Sequence, residues 1–308
     1  MWIYYGLIIL SVVMFGGGFA LQDVYRKKRG SGLKISMESA CIGSLAGLLV
    51  LLAVNGFSFE FTWFTLFMAT LSALNGIAFT FCAFKALDSI NLSLFSLFSM
   101  LGGMALPFFQ GILFYGEGFT VAKGVCVAFI CAALALTIEK GEKKKGTIFY
   151  IGIFTLNGMA GVLSKLFTAS DFPKSSAAGY TVWISVATVV LSGIAWGVLT
   201  LLEKLKKENQ SSNDKTENTQ TLVTNKKTLY QSYGIGALYG AINKVANFLL
   251  VLALAHVDAS VQYPMVTGGT MIVSTLLCYF GEKKPSKKEL LSVGLAFVAM
   301  LALFLIPV

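Results

Sequence analysis

Charged residues make up only 13% of this 308-residue chain, about half the share found in a soluble domain. Acidic residues are the scarcer sign, 15 against 24 basic, leaving a net charge of +9. There is one histidine, His256, and among the five cysteines no CxxC pair or Cys/His cluster. That spacing argues against a structural zinc site or a disulfide framework, and Cys41, Cys82, Cys126, Cys131 and Cys278 read as small apolar-segment residues. No nucleophile elbow, glycine-rich phosphate loop or metal-ligand set accompanies His256, which weighs against an enzyme and implies no cofactor. Nor does the positive charge form one patch of the kind that binds nucleic acid. It sits in short runs between apolar segments.

What the chain has in abundance is apolar length: 56% hydrophobic residues and a mean hydropathy of +0.75. A hydrocarbon core about 30 Å thick needs about 20 apolar residues per helix. Ten such spans are predicted: 2–24, 36–54, 61–84, 91–114, 120–138, 147–168, 177–202, 230–255, 260–280 and 288–307. They lack the period-two alternation of barrel strands, so they are expected to be helices. The polar stretch 203–229 is the one long connection. The first span runs into RKKR instead of a small-residue cleavage site, so no cleavable signal is expected.

Lysine and arginine fall almost entirely in alternate loops, 20 of 24 of them by position. These loops hold Arg26 to Arg29 with Lys34, Lys85, Lys140 with Lys143 to Lys145, six residues of 203–229, and Lys283, Lys284, Lys287 and Lys288. Placing basic loops in the cytoplasm puts both termini outside a cytoplasmic membrane.

The segments 1–140 and 141–308 echo one another. "ALDSINLS" (86–93) matches "ALAHVDAS" (253–260), Gly102-Gly103 matches Gly268-Gly269, and "FYGEGFT" (114–120) matches "YFGEKKP" (279–285). The openings "FGGGFALQDVY" (15–25) and "LNGMAGVLSKL" (156–166) also line up. Five spans per half is odd, so the second copy enters the membrane inverted, an arrangement typical of secondary transporters. The pattern of these motifs resembles the EamA-type repeat of the drug/metabolite transporter superfamily over the whole chain. The resemblance implies an all-α bundle of ten transmembrane helices as two inverted five-helix repeats around a central cavity. It also implies alternating access and movement of a small metabolite. Many members carry both termini in the cytoplasm, and the charge distribution here departs from that. Small multidrug relatives use a carboxylate mid-way along the first helix. Residues 3–22 here contain none, which disfavours cationic drug antiport by that route, while sugar import stays open.

Within the spans, Lys244 stands out, since its nearest charged neighbours in sequence are Lys227 and Asp258. Gly240, Asn243, Lys244 and Asn247 share a helical face, and a polar stripe in lipid is costly unless it faces the bundle interior. Two readings stand: Lys244 attracts an anionic substrate group, or it is paired structurally or held neutral by burial. Thr80 occupies the matching place in the first half, next to Gly76 and Asn75. Asn157, Tyr239 and Tyr263 complete the candidate substrate-binding set. Lys165 reads as a residue that snorkels to the headgroups and Asp23 as an interfacial counter-charge. Expected partners are a small-molecule substrate, the lipid bilayer and a coupling proton or sodium ion, with the chain acting as a monomer or homodimer.

Overall fold

The computed structural model describes residues 2–54, 57, 60–114, 147–211, 226–254, 257, 259–281 and 284–305, with 121, 124–125, 128–129, 132–133 and 136 near the end of the first half. Among the described residues the chain is all-helical. The helices are α1 (Trp2–Arg29), α2 (Leu33–Val54), α3 (Trp63–Ser89), α4 (Leu92–Phe114), α5 (Thr147–Ala169), α6 (Ala177–Ser211), α7 (Lys226–Leu254), α8 (Ala259–Cys278) and α9 (Lys287–Leu305). Nine of the expected spans coincide with these helices. The fifth, 120–138, falls mostly outside the described residues, as do Glu117, Glu282 and His256.

Local chemistry sets the helix ends. Gly30, at φ 98°, ends α1 in the left-handed conformation that glycine adopts without a Cβ clash. The Thr62 hydroxyl accepts from the Thr65 amide (3.1 Å) at the start of α3, and the Asn91 side chain accepts from the Leu94 amide (2.9 Å) at the start of α4. Ser286 and Glu289 form a reciprocal capping box before α9.

Among the described residues, five helices are long and apolar enough to cross a membrane: α1, α2, α3, α5 and α6. Exposed apolar side chains line one side of several helices, such as Val190, Ile194, Val198 and Leu201 on α6, and Leu45 and Leu49 on α2. Such faces suit lipid contact and mark a membrane protein.

Among the described helices, the most extensive packing contacts link eight into one closed ring, in the order α1, α7, α2, α6, α3, α5, α4, α8 and back to α1. Residues from the first and second halves of the chain alternate at every step. Exchanging α1 to α4 with α5 to α8 maps the ring onto itself: α1–α7 becomes α5–α3, α4–α5 becomes α8–α1, and α2–α6 and α4–α8 map to themselves. The last helix, α9, lies outside the ring against α8 and α4.

Glycines bring the helices together, and they refine the match between the two halves. A Cβ on Gly103 would meet the Asn157 amide, and one on Gly161 would meet Pro107. Correspondingly, Gly269 faces Val12, and Gly16 faces Val273. Since Gly103 corresponds to Gly269, these contacts pair Asn157 with Val12 and Gly161 with Gly16. That register is one helical turn away from the match of 15–25 with 156–166, and it sets Lys165 opposite Ala20. Glycine identity alone does not decide the register, because "GGG" offers several equivalent alignments.

Candidate functional site

A straight helix turns 100° per residue, so the neighbours of α7 fix its inner face. Tyr239 packs near Gly18 of α1, and the Ala246 carbonyl accepts from the Ser11 hydroxyl of α1 at 3.1 Å. Toward α2, Gly236 and Gly240 meet Gly43, and the Lys244 stem lies against Gly47. Asn243 and Asn247 fall in the sector between these two neighbours, which in a closed ring is the inner one. Leu238, half-exposed, points the opposite way. Of the four-residue stripe, then, the two asparagines look inward, and Lys244 lies along the α2 contact.

The Asn247 amide donates to the Asn243 carbonyl (2.8 Å) and to its side-chain oxygen (3.2 Å). Asn247 also borders a cleft of about 40 Å³ with Leu51, Ala177, Ala178, Thr181, Val182 and Phe248. Lys244 is half-buried and makes no hydrogen bond or ion pair with a described residue. Tyr239 is likewise half-buried, wedged between α1 and α2.

The remaining candidates have local partners. Asn75 donates to the Leu156 carbonyl of α5 at 2.9 Å, and Asn157 to the Ser99 carbonyl of α4 at 2.6 Å. Both amides therefore tie helix to helix through backbone carbonyls, a use of asparagine common in apolar surroundings. The Thr80 hydroxyl donates back to Gly76 on its own helix (2.9 Å). The side chain of Tyr263 lies outside the described residues.

Two residues escaped the sequence reading. Glu38, inside the predicted span 36–54, is 2% exposed. It accepts from the Tyr25 hydroxyl at 2.7 Å and from Arg29 through two bonds of 2.9 and 2.8 Å. The guanidinium of Arg29 also sits 5.7 Å from the centre of the Tyr233 ring on α7. A lone acid in an apolar span, with arginine one short loop away, was the available signal. Gln22 is 1% exposed, and neither its amide nitrogen nor its oxygen has a hydrogen-bond partner among the described residues. Its neighbour Asp23 does serve as a counter-charge, to Arg26 (2.7 Å) and Lys27 (3.2 Å).

The end of the ring that carries the basic residues is thus laced by polar bonds. Arg26 reaches Asp88 at the end of α3, Lys34 pairs with Glu203 (2.6 Å), and Asn91 donates to Glu289 (2.6 Å). The opposite end is aromatic, with Phe167 stacked on Tyr180 (3.9 Å) and Phe64, Phe61 and Trp183 beside them. There the Trp183 indole donates to the Glu60 carbonyl (2.8 Å). The Ser176 backbone N–H holds the exposed Glu60 carboxyl below its usual range.

No family model and no curated protein matches the chain. Among solved structures, one described only as "Crystal structure of protein" aligns with 96% of this chain and 98% of its own length. Its identity is 14% and the TM-score 0.53. That likeness is one of fold, over the full length of both chains.

Proposed function

We propose that the chain is a secondary transporter that moves a small polar metabolite across the cytoplasmic membrane by alternating access, built as two inverted EamA-like repeats. The observation that carries this reading is the closed ring of eight helices that maps onto itself when the halves are exchanged. Two contacts, α2–α6 and α4–α8, map onto themselves and act as seams between a group of α1, α2, α7 and α8 and a group of α3, α4, α5 and α6. Rocking these groups about the seams would open one end of the ring while closing the other. The inward amides of Asn243 and Asn247 supply hydrogen bonds to the solute, and Lys244, without a described partner, supplies a positive charge for an anionic or zwitterionic one. The basic end faces the cytoplasm in this reading, with both termini outside and a proton or sodium gradient as the driving force.

Reconstitution with a metabolite mixture, with and without a proton gradient, tests the reading. Gradient-dependent accumulation of a polar solute is the expected result, and indifference to every gradient would leave a passive pore. Lys244→Gln is expected to abolish or redirect transport while membrane insertion stays normal. Unchanged uptake and efflux across the panel would remove Lys244 from the site. Because the inner sector holds two neutral amides while Lys244 lies beside α2, uptake of a neutral sugar is the second reading. Sugar uptake indifferent to the lysine replacement would select it. Labelling of terminal tags in intact cells checks the orientation, and a carboxy terminus reachable only from inside would reverse it.

A further inference from the structure

On α1 the contacts to α7 (Ser11, Gly18, Tyr25) and to α8 (Val12, Gly16) leave Phe19, Gln22 and Arg26 on the inner sector. Val13 and Val24, on the opposite side, are exposed. Phe19 and Arg26 both reach across the ring. The Phe19 ring meets Phe95 of α4 edge-on at 5.1 Å, and Phe95 in turn meets Phe79 of α3 at 6.3 Å. Arg26 bonds Asp88 at the end of α3. Between them, one turn from each, Gln22 is enclosed, and neither of its polar side-chain atoms has a hydrogen-bond partner among the described residues. Phe19, Leu87, Leu92, Phe95 and Cys278 belong to one buried apolar cluster that fills this end. These contacts lie in the basic half, and Phe19–Phe95 and Arg26–Asp88 join the two four-helix groups.

We infer that the basic end of the ring is a gate, closed in this structure by the Phe19–Phe95 and Arg26–Asp88 contacts, and that the unpaired Gln22 amide sets how readily it opens. The inference rests on the transporter reading for its purpose, although the gate itself is a property of the packing. A buried amide without a partner disfavours the closed state, because a carboxamide in a dry apolar plug loses the hydrogen bonds water would give it. Opening wets the amide and restores them. The two flanking contacts act in the other direction. The closed state is thereby held within reach of the open one, as a cycling carrier requires. Gln22 is a positioning residue in this scheme and no ligand contact is assigned to it, since its surroundings are already filled.

The plug holds its own reporter, Cys278, 3% exposed. In the full-length protein with Cys41, Cys82, Cys126 and Cys131 replaced, reconstituted in vesicles, the rate at which a membrane-impermeant maleimide reaches Cys278 from the basic end measures opening. Gln22→Leu, similar in volume but apolar, is expected to slow labelling at least tenfold. Asp88→Asn, which weakens the bridge at an exposed carboxylate, is expected to speed it several-fold. Labelling of Gln22→Leu at the parent rate or faster overturns the role of Gln22. Should that variant not insert, an unchanged rate in Asp88→Asn overturns the gate. No substrate is needed for this measurement, so gated labelling in a protein that moves no solute would discard the transporter reading alone.

Discussion

Gly240→Ala is expected to cost the protein most of its folded yield. A Cβ at this position falls onto the carbonyl of Gly43, where α2 and α7 cross backbone to backbone. Glycines make the closest part of the crossing, with Gly236 and Gly240 on one helix and Gly43 on the other, while Gly47 makes room for the Lys244 stem. Overpacking typically costs about 1–3 kcal/mol when side chains can turn aside. Here the obstacle is backbone, so both helices must separate along the contact and a loss at or above the top of that range follows. Gly234 is the control on the same helix, exposed and with open space where a Cβ would go. Gly234→Ala removes only glycine's poor helix propensity and is expected to be neutral or stabilising by up to about 1 kcal/mol. Yield and thermal stability of the two variants in detergent decide the matter. Equal behaviour would show that the α2–α7 crossing is looser than the geometry requires.

Glu38→Ala is the second large effect. The carboxylate neutralises Arg29, whose side chain is only 13% exposed, and also accepts from Tyr25. Removing one partner of an enclosed ion pair leaves an uncompensated charge, at about 3–5 kcal/mol. Replacing both partners by apolar residues of similar volume is far milder. The expected signature is therefore non-additive: Glu38→Ala is severe, while Glu38→Met with Arg29→Met recovers most of the lost stability. A double-mutant cycle on thermal stability reads the coupling directly. Additive losses would show that Arg29 is served by water and not by Glu38.

The helices were legible because hydropathy and length carry them. The run 230–255 became Lys226–Leu254 and 36–54 became Leu33–Val54. Errors fell where helices outlast their apolar stretch. α1 continues through Arg26 to Arg29, whose positive charges suit the negative end of the helix dipole. α6 likewise runs on past its predicted end at 202 to Ser211, through lysines and glutamates that favour helix. For the site, periodicity showed that Asn243, Lys244 and Asn247 share a broad face, but an arc of that width spans both a neighbour and the ring interior. Only the contacts with Gly18 and Gly47 separate the inward asparagines from the lysine. Asn75 and Asn157 entered the candidate set because a span offers few polar residues. Their bonds to Leu156 and Ser99 depend on which helix comes alongside, and that is not written in either helix alone.

The strict alternation of halves around the ring also bears on how the protein is made. Every one of α1 to α4 has both of its main neighbours in the later half of the chain. During synthesis the early helices therefore wait in the lipid without their final partners until α8 has been inserted. Among the described residues, a fragment ending near residue 140 keeps only the lesser contacts between its own helices, and it should be cleared by membrane proteases. The same fragment co-produced with residues 141–308 as a separate chain should be rescued, because the two pieces interleave like the fingers of clasped hands.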